Sequence, residues 1–454
     1  MQYAGWLALL VMLAVLVGGA GSASAADPPQ TVSIHLGNST VALNGPWRFA
    51  VGDDLRWAAL DFDDNHWETV DLTPPPGAHD ADVGLPGYVP GWSLRGHPGY
   101  MGYAWYRLRV TVESAKDAPL ALAGPTDVDT TYQLYVDGKL LGGPGVVSGQ
   151  TWTVYSVQPT VFPLQASQSS GPRTYLIALR VWMDPIDAGE DSGGIHIAPT
   201  IGHAGDVDLL HQVLWLQTIK GYVVDAVEPM AFVLLAIMVF GLMACRSADN
   251  YRWLAAALLL TAWLRANQVL YFWTHAESLR SYDISTSVIL APLVLAAWTM
   301  AWRDWFSLDN YPWLLRVIGT LTLVYVVVAL ISRPWFMQDA QHGLKATADF
   351  LVQVVRVLFA ALFLWVVGAS VIRRPKPSTE LAAIAAITTG IGLFAGELSS
   401  IGVPRIWFPY GTGVSRTQYA YAVLIPLLFT LLLMRLVGYA RPSSQKLQRA
   451  PIGH

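Results

Sequence analysis

The second half of the chain is dominated by long apolar runs. Seven of them follow residue 220, each close to the roughly 20 residues that a helix needs to cross a bilayer. The runs cover 224–245, 253–272, 286–302, 313–332, 349–372, 380–400 and 418–438. Only 13% of the residues are charged, against about 25% in soluble globular proteins. The sequence therefore predicts an all-α bundle of seven transmembrane helices over 224–440, in contact with the lipid bilayer.

The N-terminus has the pattern of a secretory signal peptide over residues 1–26. An apolar run from Trp6 to Val17 is followed by small residues, and Ala23-Ser24-Ala25 fits the A-x-A cleavage pattern. No Lys or Arg precedes the run, so an uncleaved anchor is the alternative. In either case we expect the segment that follows to be exported.

The distribution of basic residues agrees with an exported N-terminal region. With that orientation, ten Lys and Arg lie in the predicted cytoplasmic segments and five in the external ones. The cytoplasmic ten are Arg246, Arg252, Arg303, Arg316, Arg373, Arg374, Lys376, Arg441, Lys446 and Arg449, and the external five are Arg280, Arg333, Lys345, Arg405 and Arg416. Cytoplasmic loops carry the excess of positive charge. We expect the short basic tail, 441–454, to be cytoplasmic.

Residues 27–208 have the pattern of an all-β domain. Short segments of alternating polarity, such as 132–136, 139–141 and 174–182, predict half-buried strands. Asp137-Gly138 between two of them is a strong hairpin signal. Many short strands with Gly/Pro turns favour a β-sandwich or jelly roll, joined to the helices by a linker over 209–223.

Composition excludes several other classes of protein. The net charge of −4 and the absence of basic clusters argue against a nucleic-acid partner. Cys245 is the single cysteine, so neither an intrachain disulfide nor a C-x-x-C metal or redox motif can form. No cofactor is predicted.

Several segments of the exported region resemble a known module. The stretches 44–49, 52–72, 102–112, 134–143 and 175–181 are similar to the N-terminal jelly roll of family 2 glycoside hydrolases, the β-galactosidase and β-glucuronidase group. The resemblance implies a galactose-binding-like sandwich and a carbohydrate as one possible ligand. In those hydrolases the catalytic acids belong to a separate barrel, so the resemblance does not imply an enzyme.

The order of the two regions resembles bacterial seven-transmembrane receptors with diverse intracellular signalling modules. That resemblance implies a bacterial inner-membrane receptor whose exported domain senses a ligand and whose helices carry the signal. Only 14 residues follow Ala440, too few for a kinase, cyclase or phosphatase. We therefore expect a separate cytoplasmic signalling partner.

Three carboxylates surround Phe62 in the stretch 52–72. Asp61, Asp63 and Asp64 could supply oxygen ligands to Ca²⁺ or contact a sugar. The sixth position of an EF-hand loop would need Gly and the twelfth Glu, and both are missing. Asp side chains also bond their own backbone in turns, so we interpret these three as turn residues between strands.

Two irregular loops hold the candidate ligand contacts. The first is a Gly/Pro-rich loop, 84–106, whose aromatic and polar side chains could form a sugar pocket. The second is the acidic loop 184–196. The candidates are Tyr88, Trp92, Arg95, His97 and Tyr100 in the first loop and Asp187, Glu190 and Asp191 in the second. A plain connecting loop is the alternative for both, whereas Trp47, Trp57, Trp67 and Trp105 are interpreted as core residues.

Charged side chains interrupt the apolar runs. Arg265, Arg356 and Glu397 fall inside predicted helices, and Glu228 lies at the start of the first. A charge in hydrocarbon costs at least about 2.5 kcal/mol, so these side chains should face the bundle interior and pair. We expect a polar cluster in which Arg265 or Arg356 binds Glu397. The alternative is snorkelling to the interface.

The pattern favours a non-enzymatic sensor whose exported domain binds a ligand, such as a carbohydrate, and shifts the helices. A transporter or a membrane assembly factor, with the jelly roll as lid or docking domain, is the alternative. Against the transporter, the sequence shows neither an internal repeat nor the pair of helices broken by Gly or Pro that transporters use. The segment 388–396, TTGIGLFAG, is the nearest match, and it has no counterpart elsewhere in the sequence.

Overall fold

The structure is a computed structural model. It describes residues 31–80, 84–114, 118–148, 151–165, 171–187, 191–245, 251–333, 342–373, 377–403, 406–408 and 412–440. The predicted signal peptide, 1–26, and the basic tail, 441–454, lie outside the described residues. Within them, the structure confirms a β-rich N-terminal region followed by a helical region.

Two larger sheets and a separate pair of antiparallel strands, Gly145–Ser148 with Thr151–Val154, form the β-rich region. Its strands are β1 (Thr31–Leu36), β2 (Val41–Ala42), β3 (Trp47–Val51), β4 (Glu68–Val70), β5 (Gly102–Ser114), β6 (Leu120–Ala123), β7 (Thr131–Val136), β8 (Lys139–Gly142), β9 (Gly145–Ser148), β10 (Thr151–Val154), β11 (Val161–Pro163), β12 (Arg173–Met183) and β13 (Thr200–His203). The larger sheet has the order β4-β3-β5-β12-β7-β8, with β1 parallel to β5. The smaller has the order β11-β6-β13-β2. Asp137 and Gly138 form the turn between β7 and β8, both at positive φ.

One hydrophobic core lies between the two sheets. Successive side chains of a strand point to opposite faces, so alternate residues of β5 (Ala104 to Val112) and β12 (Ile177 to Met183) enter this core. They meet Leu122 and Ile201 of the smaller sheet there. Trp47 is fully buried among them and donates from Nε1 to the Leu43 carbonyl at 2.7 Å.

The segment 53–70 covers the opposite face of the larger sheet. Trp105 of β5 points to that side and lies 6.2 Å from Trp57 between ring centroids. Trp67 packs on Trp57 at 4.9 Å. The two tryptophans are half-buried in this outer cluster, apart from the core between the sheets. Trp57 and Trp67 were predicted to be core residues. They pack in this outer cluster and not in the core between the two sheets.

A buried ion pair fixes the covering segment to the sheet. Arg107 Nε donates to Asp64 at 2.7 Å and Arg109 Nη1 donates to it at 2.9 Å. Burial opposes the carboxylate charge, but the two guanidinium groups outweigh it and hold the pKa of Asp64 below its usual range. Asp64 is therefore an ion-pair acceptor, while Asp63 forms the expected turn by accepting from the Asn65 amide at 3.1 Å.

The helical region begins directly after β13. Its elements are α1 (Ala204–Gly221), α2 (Val223–Cys245), α3 (Arg252–Trp273), α4 (Leu279–Asp283), a π-helix (Ile284–Leu290), α5 (Ala291–Trp305), α6 (Pro312–Ser332), α7 (His342–Arg373), α8 (Pro377–Leu393), α9 (Ala395–Ser400), the strands β14 (Ile406–Phe408) and β15 (Thr412–Val414), and α10 (Arg416–Ala440). Trp298, Trp302, Phe359 and Phe363 are among the large side chains buried in the core of the bundle.

The predicted linker 209–223 differs from the structure, because most of it lies in helix α1. No Gly or Pro interrupts the residues between Gly205 and Gly221, and such residues favour a helix. Val207 anchors the helix by packing against Ala121 and Ala123 of β6. Backbone hydrogen bonds continue through Tyr222 into α2, although Tyr222 has non-helical dihedral angles and Pro229 lies inside α2.

Six helices in the described part of the chain are long and apolar enough to cross a membrane. They are Ala204–Ala244, Arg252–Trp273, Leu279–Trp305, Pro312–Ser332, Leu344–Ser370 and Arg416–Val437. The predicted segment 380–400 is divided at Phe394 into α8 and α9. The Leu393 carbonyl at this break accepts a hydrogen bond from Arg356 Nη2 at 3.2 Å.

The β-rich region docks on the helices at the end of α3. Ser156 Oγ donates to the Tyr271 carbonyl at 2.8 Å, and Gln158 Nε2 donates to the Phe272 carbonyl at 3.2 Å. These carbonyls belong to the last turn of a helix, where backbone acceptors lack an intrahelical partner. The contact therefore uses acceptors that the helix itself leaves open.

We expect Asp64→Asn to destabilise the β-rich region by about 3–5 kcal/mol, because it leaves the buried guanidinium of Arg107 and the half-buried guanidinium of Arg109 without their charge partner. Chemical unfolding of the full chain in detergent, followed by tryptophan fluorescence, measures the change. Asp61→Asn is the matched control, since Asp61 is exposed and should change stability by less than about 0.5 kcal/mol. Equal stabilities of the two variants would contradict the role of the pair.

Candidate functional site

The two loops predicted to bind ligand lie side by side in the structure. Tyr88 Oη donates to Asp191 Oδ2 at 3.0 Å, and the Gly91 amide donates to Asp191 Oδ1 at 2.7 Å. The Val89 amide also donates to the His196 carbonyl at 2.8 Å. Asp191 therefore joins the loops to each other. Glu190 lies outside the described residues, and Asp187 is described only as the end of a short 3-10 turn.

Trp92 is not the exposed aromatic residue that the irregular loop suggested. It is 2% exposed, packs on Phe49 at 6.1 Å and donates from Nε1 to the Tyr100 carbonyl at 3.1 Å. Gly193 from the second loop lies so close that a Cβ there would be 2.0 Å from Trp92 Nε1. This long-range contact buries the ring, so in this conformation Trp92 cannot stack on a sugar.

The other three candidates of the first loop hold it to neighbouring strands. Arg95 Nη1 donates to the Asp71 carbonyl at 2.8 Å, and Tyr100 Oη donates to the Tyr103 carbonyl at 2.6 Å. His97 Nε2 lies 3.1 Å from a carboxylate oxygen of Glu68. Each of the three side chains thus contacts another part of the β-rich region, and these contacts hold the first loop in place.

The calcium candidates do not converge on one point. Asp64 accepts hydrogen bonds from Arg107 and Arg109. Asp63 accepts one from a backbone amide of its own turn, and Asp61 is exposed. Among the described residues, no three His, Cys, Asp or Glu side chains are grouped so that they could hold a metal ion.

His196 is a buried hub that sequence reasoning missed. Its Nδ1 lies 2.9 Å from the Val89 carbonyl and its Nε2 lies 3.1 Å from Asp129. Both partners are acceptors, so each ring nitrogen must carry a proton. Burial opposes that charge, but the bond to Asp129 and the charge of Asp127 outweigh it and raise the pKa of His196 to about 9. Tyr88 stacks on the charged ring at 4.9 Å.

A cavity of about 390 Å³ lies between the β-rich region and the helices, and we call it the interface cavity. The β-rich side contributes three carboxylates and several hydroxyls, and the helical side contributes aromatic rings. Its walls are Asp80, Leu85, Thr126, Asp127, Val128, Asp129, Thr130, Ser156, Val157, Pro159, Thr218, Tyr222, Tyr271, Phe272, Leu279 and Tyr282. Asp129 connects it to His196, because it lines the cavity and accepts from the imidazole.

Two stacked aromatic pairs form the helical side of the interface cavity. Tyr222 stacks on Phe272 at 4.6 Å, and Tyr271 stacks on Tyr282 at 4.4 Å. Across from them, Thr126 Oγ1 is buried without a hydrogen-bond partner among the described residues. The cavity is therefore lined by aromatic residues on its helical side and by aspartates and hydroxyl-bearing residues on its β-rich side.

The intramembrane charges form two separate clusters. In the first, Arg265 binds Asp225 and also donates to Glu228 at 2.9 Å and to Gln268 at 2.7 Å. Gln418 of α10 donates to Asp225 at 3.0 Å. Glu228 is 3% exposed, so in this structure it faces the bundle and does not snorkel.

The second cluster joins α7 to α9. Arg356 forms a two-point ion pair with Glu397 and also donates to Tyr325 Oη at 3.2 Å. Of the two arginines considered as partners of Glu397, the structure therefore pairs it with Arg356. Arg265 instead pairs with Asp225 and Glu228 of α2, so Glu228 belongs to a polar cluster, as expected, with Arg265 as its partner.

A second cavity of about 440 Å³ lies inside the helical bundle, and we call it the bundle cavity. Arg265, Arg333 and Arg356 line it together with small and hydroxyl-bearing residues. Tyr282 lines both cavities. It lies two residues before the start of the π-helix at Ile284. Nothing in the sequence distinguished Tyr282 from the aromatic residues that anchor helices at the headgroup level.

We expect the stability of the β-rich region to fall as the pH rises. Because the folded-state pKa of His196 is raised from 6.5 to about 9, its contribution is complete below about pH 6.5 and is lost as the pH passes about 9. The loss amounts to about 3 kcal/mol. Unfolding of the full chain in detergent between about pH 6 and about pH 10 measures it. The exposed His66→Gln control should keep the slope, and an unchanged slope in His196→Gln would contradict the assignment.

The second intramembrane pair can be tested by exchanging its charges. Arg356→Glu and Glu397→Arg should each reduce yield and thermal stability, because each buries an uncompensated charge, and the double variant should recover part of the loss. Arg265→Glu with Glu397→Arg is the matched control and should recover nothing. Thermal unfolding in detergent is the measurement, and recovery in the control alone would reject the observed pairing.

Comparison of the sequence with protein-family models and with curated proteins finds no match. Solved structures similar to part of the chain include a calcium-binding mutant of Bacteroides uniformis β-glucuronidase 2 (20% identity, 36% of this chain, 18% of that chain, TM-score 0.25). Others are a glycosyl hydrolase family 2 member from Bacteroides cellulosilyticus (18%, 36%, 20%, 0.25) and Bifidobacterium dentium β-glucuronidase complexed with coumarin-3-O-glucuronide (13%, 34%, 22%, 0.23). The chain spans about a fifth of the length of these proteins. At these TM-scores the similarity assigns neither an activity nor a ligand.

Proposed function

We propose that this chain is a non-enzymatic membrane receptor in which a small ligand, bound in the interface cavity, shifts the helical bundle. The observation that carries the proposal is that both regions build this cavity. A ligand there would contact Asp129 on the β-rich side and Tyr271 on the helical side together. Its affinity would therefore depend on how the regions are docked, which is the differential affinity that a conformational shift requires.

Tyr282 provides a route from the interface cavity into the bundle. Its ring stacks on Tyr271 and also borders the bundle cavity. The π-helix Ile284–Leu290 begins two residues later, and π-turns frequently mark functional sites. A change between π and α hydrogen bonding would shift α5 relative to Arg265 and its partners. Ligand contact at Tyr282 could in this way reach the charged clusters.

The proposed topology has seven membrane crossings. Six are the long helices already described. The seventh is formed by the two helices on either side of Phe394, α8 with 17 residues and α9 with 6 residues. We place the β-rich region outside a bacterial inner membrane and the C-terminus in the cytoplasm, on the distribution of Lys and Arg. A separate cytoplasmic signalling protein would receive the signal.

The resemblance of the β-rich segments to a sugar-binding module supports a carbohydrate as the ligand. The interface cavity has a size within the range of about 300–1,000 Å³ typical of small-molecule sites. Aromatic rings and hydroxyl or carboxylate groups are also what a sugar face requires. The residues that would make these contacts are those of the interface cavity, since Trp92 is buried.

A transporter is the second candidate, and two observations favour it. The helix over 377–400 is broken at Phe394, next to a charged pair, and broken helices form transporter binding sites. The two cavities also share Tyr282 as a common wall. In this alternative Tyr282 would be a gate and the β-rich region a lid or docking domain.

The receptor proposal predicts a ligand-dependent change in helix dynamics. Full-length protein in lipid nanodiscs would be titrated with a panel of mono- and disaccharides and amino sugars, with hydrogen exchange measured over 279–290. A bound sugar should alter exchange there in the wild type. Tyr282→Ala should retain binding within about tenfold but lose the exchange response, because the contact that carries it is removed.

Trp263→Ala is the matched control, since Trp263 is 61% exposed on the bundle surface and should retain both binding and response. Binding without any exchange change in the helices would overturn the receptor. Accumulation of labelled sugar inside proteoliposomes would favour the transporter instead.

A further inference from the structure

One buried arginine meets two buried carboxylates in the first turns of α2. Arg265 binds Asp225 and donates from Nε to Glu228 Oε2 at 2.9 Å. Arg265, Asp225 and Glu228 are 7%, 1% and 3% exposed, and the helices that carry them are long and apolar enough to cross a membrane. With both carboxylates ionised, the cluster would therefore keep one negative charge away from water.

Glu228 is the carboxyl group with fewer partners. Its Oε2 accepts from Arg265, while its Oε1 is buried without a hydrogen-bond partner among the described residues. Asp225 instead accepts from two side chains, Arg265 and Gln418, the latter at 3.0 Å. In hydrocarbon, a neutral carboxyl group costs far less to bury than a carboxylate whose oxygen has no donor. We propose that Glu228 holds an exchangeable proton, so that Asp225, Glu228 and Arg265 form a proton-binding site inside the bundle.

The neighbouring elements do not supply a second positive charge to Glu228. Arg265 of α3 is the partner already described. From α10, Tyr421 is buried beside the cluster as a neutral phenol, and Arg416 in the first turn donates to α9 instead. Lys220, near the end of α1, is exposed. Among the described residues, neither carboxylate forms an ion pair with any basic group other than Arg265.

The bundle cavity lies on the other side of Arg265 and gives the proton a route to water. Arg265, Gln268 and Tyr421 line this cavity, whose volume of about 440 Å³ is enough for several water molecules. Glu228 lies one hydrogen bond behind Arg265, so a small movement of the guanidinium would open its carboxyl group to that space. The proton would then pass from Glu228 to a water molecule, which leaves as hydronium while the O–H bond becomes a carboxylate.

Loss of this proton would change how α2 is held in the bundle. While Glu228 is neutral, Asp225 alone balances the charge of Arg265. Once Glu228 is ionised, two carboxylates share one guanidinium and a negative charge remains in hydrocarbon, which disfavours the present packing of α2 on α3 and α10. The site therefore links the arrangement of these helices to pH. This inference does not depend on which ligand the interface cavity binds.

Infrared difference spectroscopy of the full-length protein in lipid nanodiscs tests for the proton, because a protonated carboxyl group has a C=O band that carboxylates lack and that shifts in D2O. At neutral pH we expect the wild type to show such a band, and Glu228→Gln to remove it. The band should also fade in alkaline buffer. Glu380→Gln is the matched control, since Glu380 is exposed in the first turn of α8, and it should leave the band unchanged.

Variants of Asp225 test whether the proton depends on the shared arginine. In Asp225→Asn, Glu228 should become the ion partner of Arg265 and lose its proton, so the band should disappear at neutral pH. Asp225→Asn and Glu228→Gln should each lower the melting temperature only slightly. The double variant leaves Arg265 without a charge partner, so its loss should exceed the sum of the two. Thermal unfolding in detergent is the measurement.

A wild-type spectrum from which Glu228→Gln removes no band would overturn the inference. A band that persists in Asp225→Asn would also overturn it, because the proton would then not depend on the shared arginine. Failure of Glu228→Gln to fold would contradict a neutral Glu228, since Gln has nearly the size of the neutral acid and leaves Arg265 paired with Asp225. Stabilisation of the wild type by sodium relative to choline at equal ionic strength, without the band, would assign the position to a metal cation instead.

Discussion

The pairing of charged groups that have left water determines how both regions of the chain are arranged. In the β-rich region, Asp64 of the covering segment forms ion pairs with Arg107 and Arg109 of β5. In the bundle, Arg265 joins α2 to α3, and Gln418 adds α10 to the same carboxylate of Asp225. Since an unpaired charge in such a place costs several kcal/mol, any arrangement of the elements that separates these partners is disfavoured.

The ion pairs of the bundle also form the walls of a cavity. Arg265 and Arg356, one from each cluster, line the bundle cavity, so the residues that hold the helices together are the same ones that border it. The boundary between the two regions is held by other means. Ser156 donates to a backbone carbonyl at the end of α3, and Val154, Tyr271 and Leu279 bury apolar surface beside it.

Local patterns predicted the order of regions, the hairpin at Asp137-Gly138 and the need of Arg265 and Arg356 for partners, because each depends on a few consecutive residues. They left open whether Glu397 pairs with Arg265 or with Arg356, because the choice depends on the order of the helices in the bundle. Trp92 was misjudged for a similar reason, since Gly193 from a distant loop closes over it. Most of the predicted linker 209–223 lies in α1, and Val207 in the first turn of that helix packs against β6. His196 and Asp129, almost 70 residues apart, gave no local signal of their partnership.

The passage from α1 to α2 has a geometric consequence. The two helices extend over 41 residues, Ala204–Ala244, or about 60 Å at 1.5 Å per residue, twice the thickness of the hydrocarbon core. Tyr222 has non-helical dihedral angles between them, and Pro229 lies inside α2, where a proline removes an intrahelical hydrogen bond and bends the helix. The part that packs on β6 and the part that enters the bundle can therefore differ in direction, so the orientation of the sheet does not by itself fix the tilt of α2 in the bilayer.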